Sequence, residues 1–213
     1  MQPLTGQEKK SLLEDRIYHR MAEVNLCASM AQLLVSYGRD RHVTLMLDGR
    51  AAYESPSLKE LSDPIIDTGI IMCRVLMEFL GVRCRNGVLL QVRTQRADDV
   101  SIADFGLPFV TPDKVAQGHA GLPPIDVAEA MTATLSAANK GIGHLTRVPA
   151  RKLDLWYLEV ACRSVLNLMN RHLYQALGYP ERSFTSHVGC WVKEARRHIN
   201  NGRAPNLGPQ TDG

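Results

Sequence analysis

The longest apolar stretch of the chain, Asp63 to Leu80 (DPIIDTGIIMCRVLMEFL), constrains the fold more than any other feature. Its hydrophobic residues recur every three or four positions, the period of an α-helix, and further apolar residues widen that stripe until little of the surface is polar. A helix of this character is predicted to lie in the middle of a core. Arg74 and Glu78, four residues apart on the remaining polar stripe, are expected to pair along the helix surface.

Composition and length favour one helical domain. Of the 213 residues, 45% are hydrophobic but only 6% are aromatic, a balance that suits helix-on-helix packing better than a sheet sandwich. We therefore predict an all-α fold, an antiparallel helical bundle of about five helices. The single bundle domain is expected to span residues 1–199, and residues 200–213 are expected to form a flexible C-terminal tail.

Helical periodicity and capping signals locate the helices. Thr5 and Glu8 have the spacing of a capping box at the start of the first helix. Ser57 and Glu60 have the same spacing, which predicts a short helical turn that leads to Asp63. Asp63 followed by Pro64 has the residue types of an N-cap and a first helical position. The predicted helices cover residues 7–37, 63–80, 126–145, 151–177 and 188–199.

Two stretches between the predicted helices carry turn signals instead. Asn86-Gly87 lies between β-prone residues, which predicts a small β-hairpin insertion near 82–93. Asp48-Gly49 gives a similar but weaker signal. Residues 39–56 are therefore left open between a small hairpin and a structured loop.

Basic residues are concentrated toward the C-terminus. The stretch from Arg147 to Arg203 holds ten basic and four acidic residues, whereas the whole chain has a net charge of only +3. Such a surface can attract phosphate groups, and Arg147, Arg196 and Arg197 are the candidate binding residues, although solvated basic faces are also common. The charged residues of the first helix, which include Arg16 and Arg20, are typical of an ordinary solvated face.

The cysteines and the absence of an apolar leader favour a cytoplasmic protein. The five cysteines are scattered, and several lie in apolar helical patterns, which is typical of reduced, buried thiols. No stretch is long and uncharged enough for a membrane span. His187, Cys190, Glu194 and His198 share one helical stripe, but eleven helical residues extend about 16 Å, so we predict no metal site and no cofactor.

The most informative polar stretch is Asn139 to Thr146 (NKGIGHLT). Lys140 and His144 are four residues apart and share one helical face. A histidine acting as general acid or base beside a cation that holds phosphate is what metal-free RNA cleavage requires. The alternative is structural, with Asn139 and His144 tying this helix to its neighbours through buried hydrogen bonds.

Three segments together resemble small bacterial helical proteins related to the HEPN bundles. They are Cys73 to Gly81 (CRVLMEFLG), the acidic pair Asp98-Asp99 followed by Ala103-Asp104-Phe105, and Asn139-Lys140 with His144-Leu145-Thr146 before Trp156. The resemblance covers roughly residues 63–156. It implies an all-α bundle, often dimeric, in a group that includes RNA-cutting toxins, defence nucleases and inactive binding modules. Active members carry an arginine ahead of the histidine, and here Asn139-Lys140 holds that place, so catalysis is not supported by the motif.

These observations lead to three hypotheses. The first is a HEPN-like binding or interaction protein in stress or phage defence, associated with RNA or a nucleotide through Arg74, Asn139, Lys140 and His144. The second is a metal-independent ribonuclease in which His144 is general acid or base and Arg74, Lys140 or Arg147 holds the phosphate. The third is a structural homodimerisation module, and a homo-oligomer, most simply a dimer, is expected.

Overall fold

The computed structural model describes residues 4–92, 99–139 and 153–184. Its α-helices are α1 (Gly6–Ser11), α2 (Ile17–Tyr37), α3 (Leu58–Leu80), α4 (Pro112–Ala116), α5 (Pro124–Ala137) and α6 (Leu155–Met169). Its strands are β1 (Val43–Leu47), β2 (Arg50–Ser55), β3 (Val82–Arg85) and β4 (Val88–Gln91). The chain is therefore mostly helical, as predicted, but two small antiparallel hairpins accompany the helices, so the fold is not purely all-α.

Helix α3 lies at the centre of the core, as the periodicity predicts. It contacts α2, α5 and α6, and its buried residues include every member of the predicted apolar stripe from Ile66 to Leu80. Arg74 Nε donates to Glu78 Oε1 at 2.9 Å, which confirms the expected pair.

The predicted start of α3 at Asp63 is wrong. The helix begins at Leu58, where the Ser57 hydroxyl accepts from the Lys59 amide at 3.2 Å, and Pro64 lies inside it. A proline in a helix interior removes one backbone hydrogen bond. Burial of Leu58 and of Ser62, ahead of the proline, accompanies this longer helix.

The first helix is interrupted rather than continuous. The predicted Thr5–Glu8 capping box is present, with the Thr5 amide donating to Glu8 Oε2 at 2.7 Å. A π-helical turn, Leu12–Arg16, then joins α1 to α2. Both Leu12 and Leu13 lie in the core. The extra residue of the π-helical turn shifts the helical phase of the residues before it relative to α2.

Both Gly-containing turn signals form hairpins. β3 pairs with β4 around Asn86-Gly87, where both residues have positive φ (52° and 76°), so the predicted insertion is confirmed. β1 pairs with β2 around Asp48-Gly49 (φ 50° and 77°), which resolves the open choice for residues 39–56 in favour of a hairpin. Positive φ at both central positions is the requirement of the tight turn that suits twisted strands.

The C-terminal helices differ from prediction at their ends. α5 begins at Pro124, two residues before the predicted cap at Asp126, and α6 begins after Asp154, whose carboxylate accepts from the Trp156 amide at 2.7 Å. A π-helical turn (Asn170–Tyr174) and a 3₁₀ turn (Gln175–Leu177) follow α6. These turns change the helical phase, so Ala176, predicted to be buried, is exposed.

Three helices meet at a cluster of buried thiols. Cys27 of α2, Cys73 of α3 and Cys162 of α6 are fully buried and free, and the Cys73 and Cys162 Sγ atoms lie 3.6 Å apart. The hydrogen bond from Cys27 lowers the pKa of Cys162, but the hydrogen bond with Cys73 and burial outweigh it, so the pKa is raised. The predicted helix at 188–199 and the tail at 200–213 lie outside the described residues. Within the described ranges, no helix is long and apolar enough to cross a membrane.

Candidate functional site

A cleft of about 620 Å³ opens where the first helical segments, α3 and the β3–β4 hairpin meet. Its walls combine arginines with apolar side chains, and we name it the arginine cleft for Arg16, Arg20, Arg74 and Arg83. The remaining lining residues are Leu12, Ile17, Val75, Leu76, Glu78, Phe79, Val92, Asp99 and Val100. Its volume is that of a typical small-molecule site, for which the usual range is about 300 to 1,000 Å³.

The four arginines come from three parts of the chain. Arg16 is the last residue of the π-helical turn and Arg20 lies one turn into α2, where its Nη1 donates to the Arg16 carbonyl at 2.8 Å. Arg74 is on α3, and Arg83 is on the solvent-facing side of β3. π-helical turns are frequent at functional sites because they redirect side chains out of the regular helical pattern.

The charge of the cleft is predominantly positive. Of its two carboxylates, Glu78 is engaged by Arg74 across 2.9 Å, and Asp99 is exposed. Within the described ranges, no carboxylate lies at ion-pair distance from Arg16, Arg20 or Arg83. Three guanidinium groups are thus available to an anion, and guanidinium geometry matches phosphate and carboxylate oxygens in pairs.

The base of the cleft is apolar and rigid. Phe79 is largely buried and packs edge-on against Phe105, with ring centroids 5.9 Å apart. Val75 and Val100 are half-buried beside it. A ligand that fills the cleft would therefore place its charged groups against the arginines and an apolar or planar portion against this base.

Of the four residues that the sequence grouped into one groove, only Arg74 and Asn139 lie within the described residues. Arg74 lines the arginine cleft, whereas Asn139, at the end of α5, donates its side-chain Nδ2 to the Cys84 carbonyl of β3 at 3.0 Å. The Cys84 thiol also lies 3.3 Å from Ser136 Oγ. Asn139 thus helps to fix the C-terminal end of α5 against β3, a strand, whereas the structural alternative expected bonds to neighbouring helices.

The other candidate residues lie outside the described residues: Lys140, His144, Arg147, Arg196 and Arg197. The arginines that accompany Arg74 were not singled out from the sequence. Arg16 and Arg20 are four residues apart, a spacing that places two side chains on one helical face, but that spacing is equally common on solvated surfaces. The contribution of Arg83 depends on a hairpin that folds back over α3.

His172 is the most perturbed histidine among the described residues. Its pKa is lowered, first by burial and then by the positive charges of Lys114 and Arg171. Its Nε2 atom is buried without a hydrogen-bond partner among the described residues. In the same part of the chain, no group of three or more His, Cys, Asp or Glu side chains is arranged to hold a metal ion.

Comparisons with protein-family models, curated proteins and solved structures found no match for this chain.

Proposed function

We propose that this chain is a HEPN-like helical bundle, with its principal helices antiparallel, that binds a phosphate-bearing ligand in the arginine cleft. The ligand class is RNA or a nucleotide, and the setting is cytoplasmic stress or phage defence. The observation that carries the proposal is the convergence of Arg16, Arg20, Arg74 and Arg83 on one cleft from three parts of the chain. Arginine is the side chain best suited to paired contacts with phosphate oxygens.

The apolar base of the cleft supports a ligand that is more than a free anion. Phe79 with the half-buried Val75 and Val100 offers surface to a nucleobase or another planar group, and apolar surfaces with a few placed polar groups are the usual composition of ligand sites. Arg74 has a carboxylate partner in Glu78, so it is expected to exchange or share that partner when a phosphate arrives. Arg16, Arg20 and Arg83 are available at once.

The test is a binding titration that compares Arg83→Ala with Arg85→Ala. Both arginines are exposed on β3, two residues apart, but only Arg83 lines the cleft. The probes are adenosine 5′-monophosphate and a fluorescein-labelled single-stranded RNA. Calorimetry measures binding of the nucleotide, and fluorescence anisotropy measures binding of the RNA. We expect Arg83→Ala to weaken binding by about tenfold or more, because hydrogen bonds to charged groups contribute about 1.5 to 3 kcal/mol.

Salt dependence separates the two ligand classes. For single-stranded RNA, each phosphate contact contributes about −0.7 to the slope of log K against log salt, so losing Arg83 should make the slope shallower by about that amount. A mononucleotide has few phosphates and should show a weak dependence. If neither probe bound, or if Arg85→Ala weakened binding as much as Arg83→Ala, the cleft would not be the binding site.

A second candidate is the metal-independent ribonuclease, favoured by the position of Arg74 among other arginines. In this proposal Arg74, Lys140 or Arg147 holds the scissile phosphate, and His144 acts as general acid or base. Incubation of the purified protein with mixed RNA and EDTA should then give cleavage that is lost in His144→Ala. Intact RNA with folded wild-type protein would reject this candidate and leave the binding proposal in place.

A further inference from the structure

The β1–β2 hairpin presents apolar side chains to water. β1 (VTLML) contains no charged residue, and its Leu45, Met46 and Leu47 are 45, 52 and 61% exposed. Tyr53, opposite Leu45 on β2, is 40% exposed. Single exposed apolar residues are ordinary, but a contiguous group of this kind marks an interaction surface.

The hairpin projects from a firmly held base. Val43 packs against the main core, and the Leu58 amide donates to the Arg41 carbonyl at 2.7 Å. On the other strand, Ser55 Oγ donates to Glu60 Oε2 at 2.6 Å. An isolated two-stranded hairpin is only marginally stable in water, so these contacts fix where the hairpin points without covering its outer half.

The outer edge of β1 is suited to strand pairing. β1 and β2 form a two-stranded sheet, and no further strand pairs with β1 among the described residues. Proteins usually protect an edge with charge, proline or a bulge. β1 (VTLML) contains no charged residue and no proline. The bulge of this hairpin lies on the other strand, where Ala52 of β2 is unpaired between Tyr53 (opposite Leu45) and Ala51 (opposite Met46).

The sequence of β1 is complementary to itself in an antiparallel register. If two copies pair with Leu45 opposite Leu45, then Val43 faces Leu47 and Thr44 faces Met46. The same register places His42, which precedes each strand, near the turn of the other copy that begins at Asp48 (φ 50°). In a two-fold symmetric dimer both copies contribute the same surface, so each attractive cross-strand contact occurs twice.

We propose that two copies of this chain associate through β1, which joins their hairpins into one four-stranded antiparallel sheet centred on Leu45. Residues opposite each other in neighbouring strands have their side chains on the same face of the sheet, and so do residues two apart along one strand. Leu45, Leu47 and Tyr53 of both copies therefore lie on one face. On that shared face the two Leu45 side chains meet at the axis, and a Val43–Leu47 pair flanks them on each side. The proposal is independent of the arginine cleft.

The first test is a cross-linking experiment on the full chain. Leu45→Cys, in a Cys190→Ser background, is treated with a short bifunctional maleimide and compared with Val88→Cys in the same background. Val88 is 55% exposed on β4 and serves as the matched control. The described native cysteines are all buried, so we expect cross-linked dimers from Leu45→Cys and monomers from Val88→Cys.

The second test is sedimentation equilibrium on the wild type and on charge variants. We expect Leu45→Lys to raise the dimer dissociation constant about tenfold or more, because two lysines would oppose each other at the axis. Val88→Lys should leave the constant unchanged. His42→Asp should weaken association, and the double variant with Asp48→Lys should restore it.

Several results would overturn the proposal. A wild-type chain that stays monomeric across the concentration series would exclude a second copy and direct attention to a different partner or to another segment of the same chain. A dimer that is indifferent to Leu45→Lys, with circular dichroism unchanged, would place the contact elsewhere. Failure of the double charge swap to restore association would reject the register centred on Leu45.

Discussion

The contact between α2 and α3 gives the sharpest quantitative prediction. Gly69 of α3 lies directly on Cys27 of α2, such that a Cβ at position 69 would be 2.1 Å from Cys27 Cβ and 2.6 Å from Cys27 Sγ. Carbon atoms in favourable contact are about 3.5 to 4.0 Å apart, so Gly69→Ala requires a shift of at least about 1.4 Å. The obstructing Cβ is attached to the backbone, so a change of side-chain rotamer cannot relieve the overlap.

Two effects of Gly69→Ala have opposite signs. Alanine in a helix interior is favoured over glycine by about 1 kcal/mol. Overpacking a closely packed core costs about 1 to 3 kcal/mol and sometimes more, and here the obstruction belongs near the upper end of that range. We therefore expect a net loss of about 2 kcal/mol in the free energy of unfolding.

The assay is urea unfolding followed by circular dichroism, with Gly6→Ala as the control. Gly6 begins α1 and has no neighbour within 4 Å of a built Cβ, so its substitution should be neutral or slightly stabilising. Cys27→Gly combined with Gly69→Ala removes the obstructing Cβ from α2 and adds one on α3, so the double variant should be more stable than the sum of the single effects predicts. A Gly69→Ala chain as stable as wild type, or more so, would refute the close approach of α2 and α3.

Further predictions follow from single contacts. Gly81→Ala should destabilise the chain by about 1 to 2 kcal/mol or more, measured by urea unfolding, because φ is +93° and an added Cβ would meet Phe109 at 2.4 Å. Tyr174→Phe should cost about 1 to 2 kcal/mol in the same assay, because the buried Tyr174 hydroxyl donates to the Leu13 carbonyl at 2.7 Å. Burial raises the pKa of Tyr174 from 10.0 to about 12. The stabilisation from the neutral hydroxyl is therefore fully present below pH 10 and is lost as pH rises from about 10 to 12. A titration of absorbance at 295 nm, wild type minus Tyr174→Phe, should show this late ionisation. Buried thiols of raised pKa react slowly, so Ellman's reagent should reach Cys27 and Cys162 only on unfolding, and rapid reaction in native buffer would contradict their placement.

The helical core was predictable because burial and periodicity are local properties of the sequence. The main apolar stripe expected on α3 is buried, whereas Met72, expected to widen it, is half-buried. The Arg74–Glu78 pair forms as its spacing predicts. Helix ends were less predictable, since several signals compete for each boundary. Asp63-Pro64 has the residue types of a helix start, but Ser57 provides the cap and the helix passes through the proline.

The candidate site was harder to predict than the core because it is non-local. The sequence predicts Arg74 as a site residue together with Asn139, Lys140 and His144 of a separate motif. Asn139 instead donates to the backbone of β3. The cleft needs the β3–β4 hairpin to bring Arg83 over α3, and no spacing within a single helix encodes that arrangement. The π-helical turn before α2 was also missed, because regular periodicity describes the residues on both sides of it.

That π-helical turn links the core to the arginine cleft. Its extra residue lets Leu12 and Leu13 both enter the core, and the same turn ends at Arg16, whose carbonyl accepts from Arg20. The direction of Arg16 is therefore set by the packing of the leucines beneath it. With a regular α-helix here, the residues before the turn would be rotated by about 100° relative to α2. Either Leu12 or Leu13 would then leave the core, or the position of Leu12 relative to Arg16 and Arg20 in the cleft would change. Retaining the less regular turn satisfies both requirements, which is the physical reason to treat this segment as part of the site.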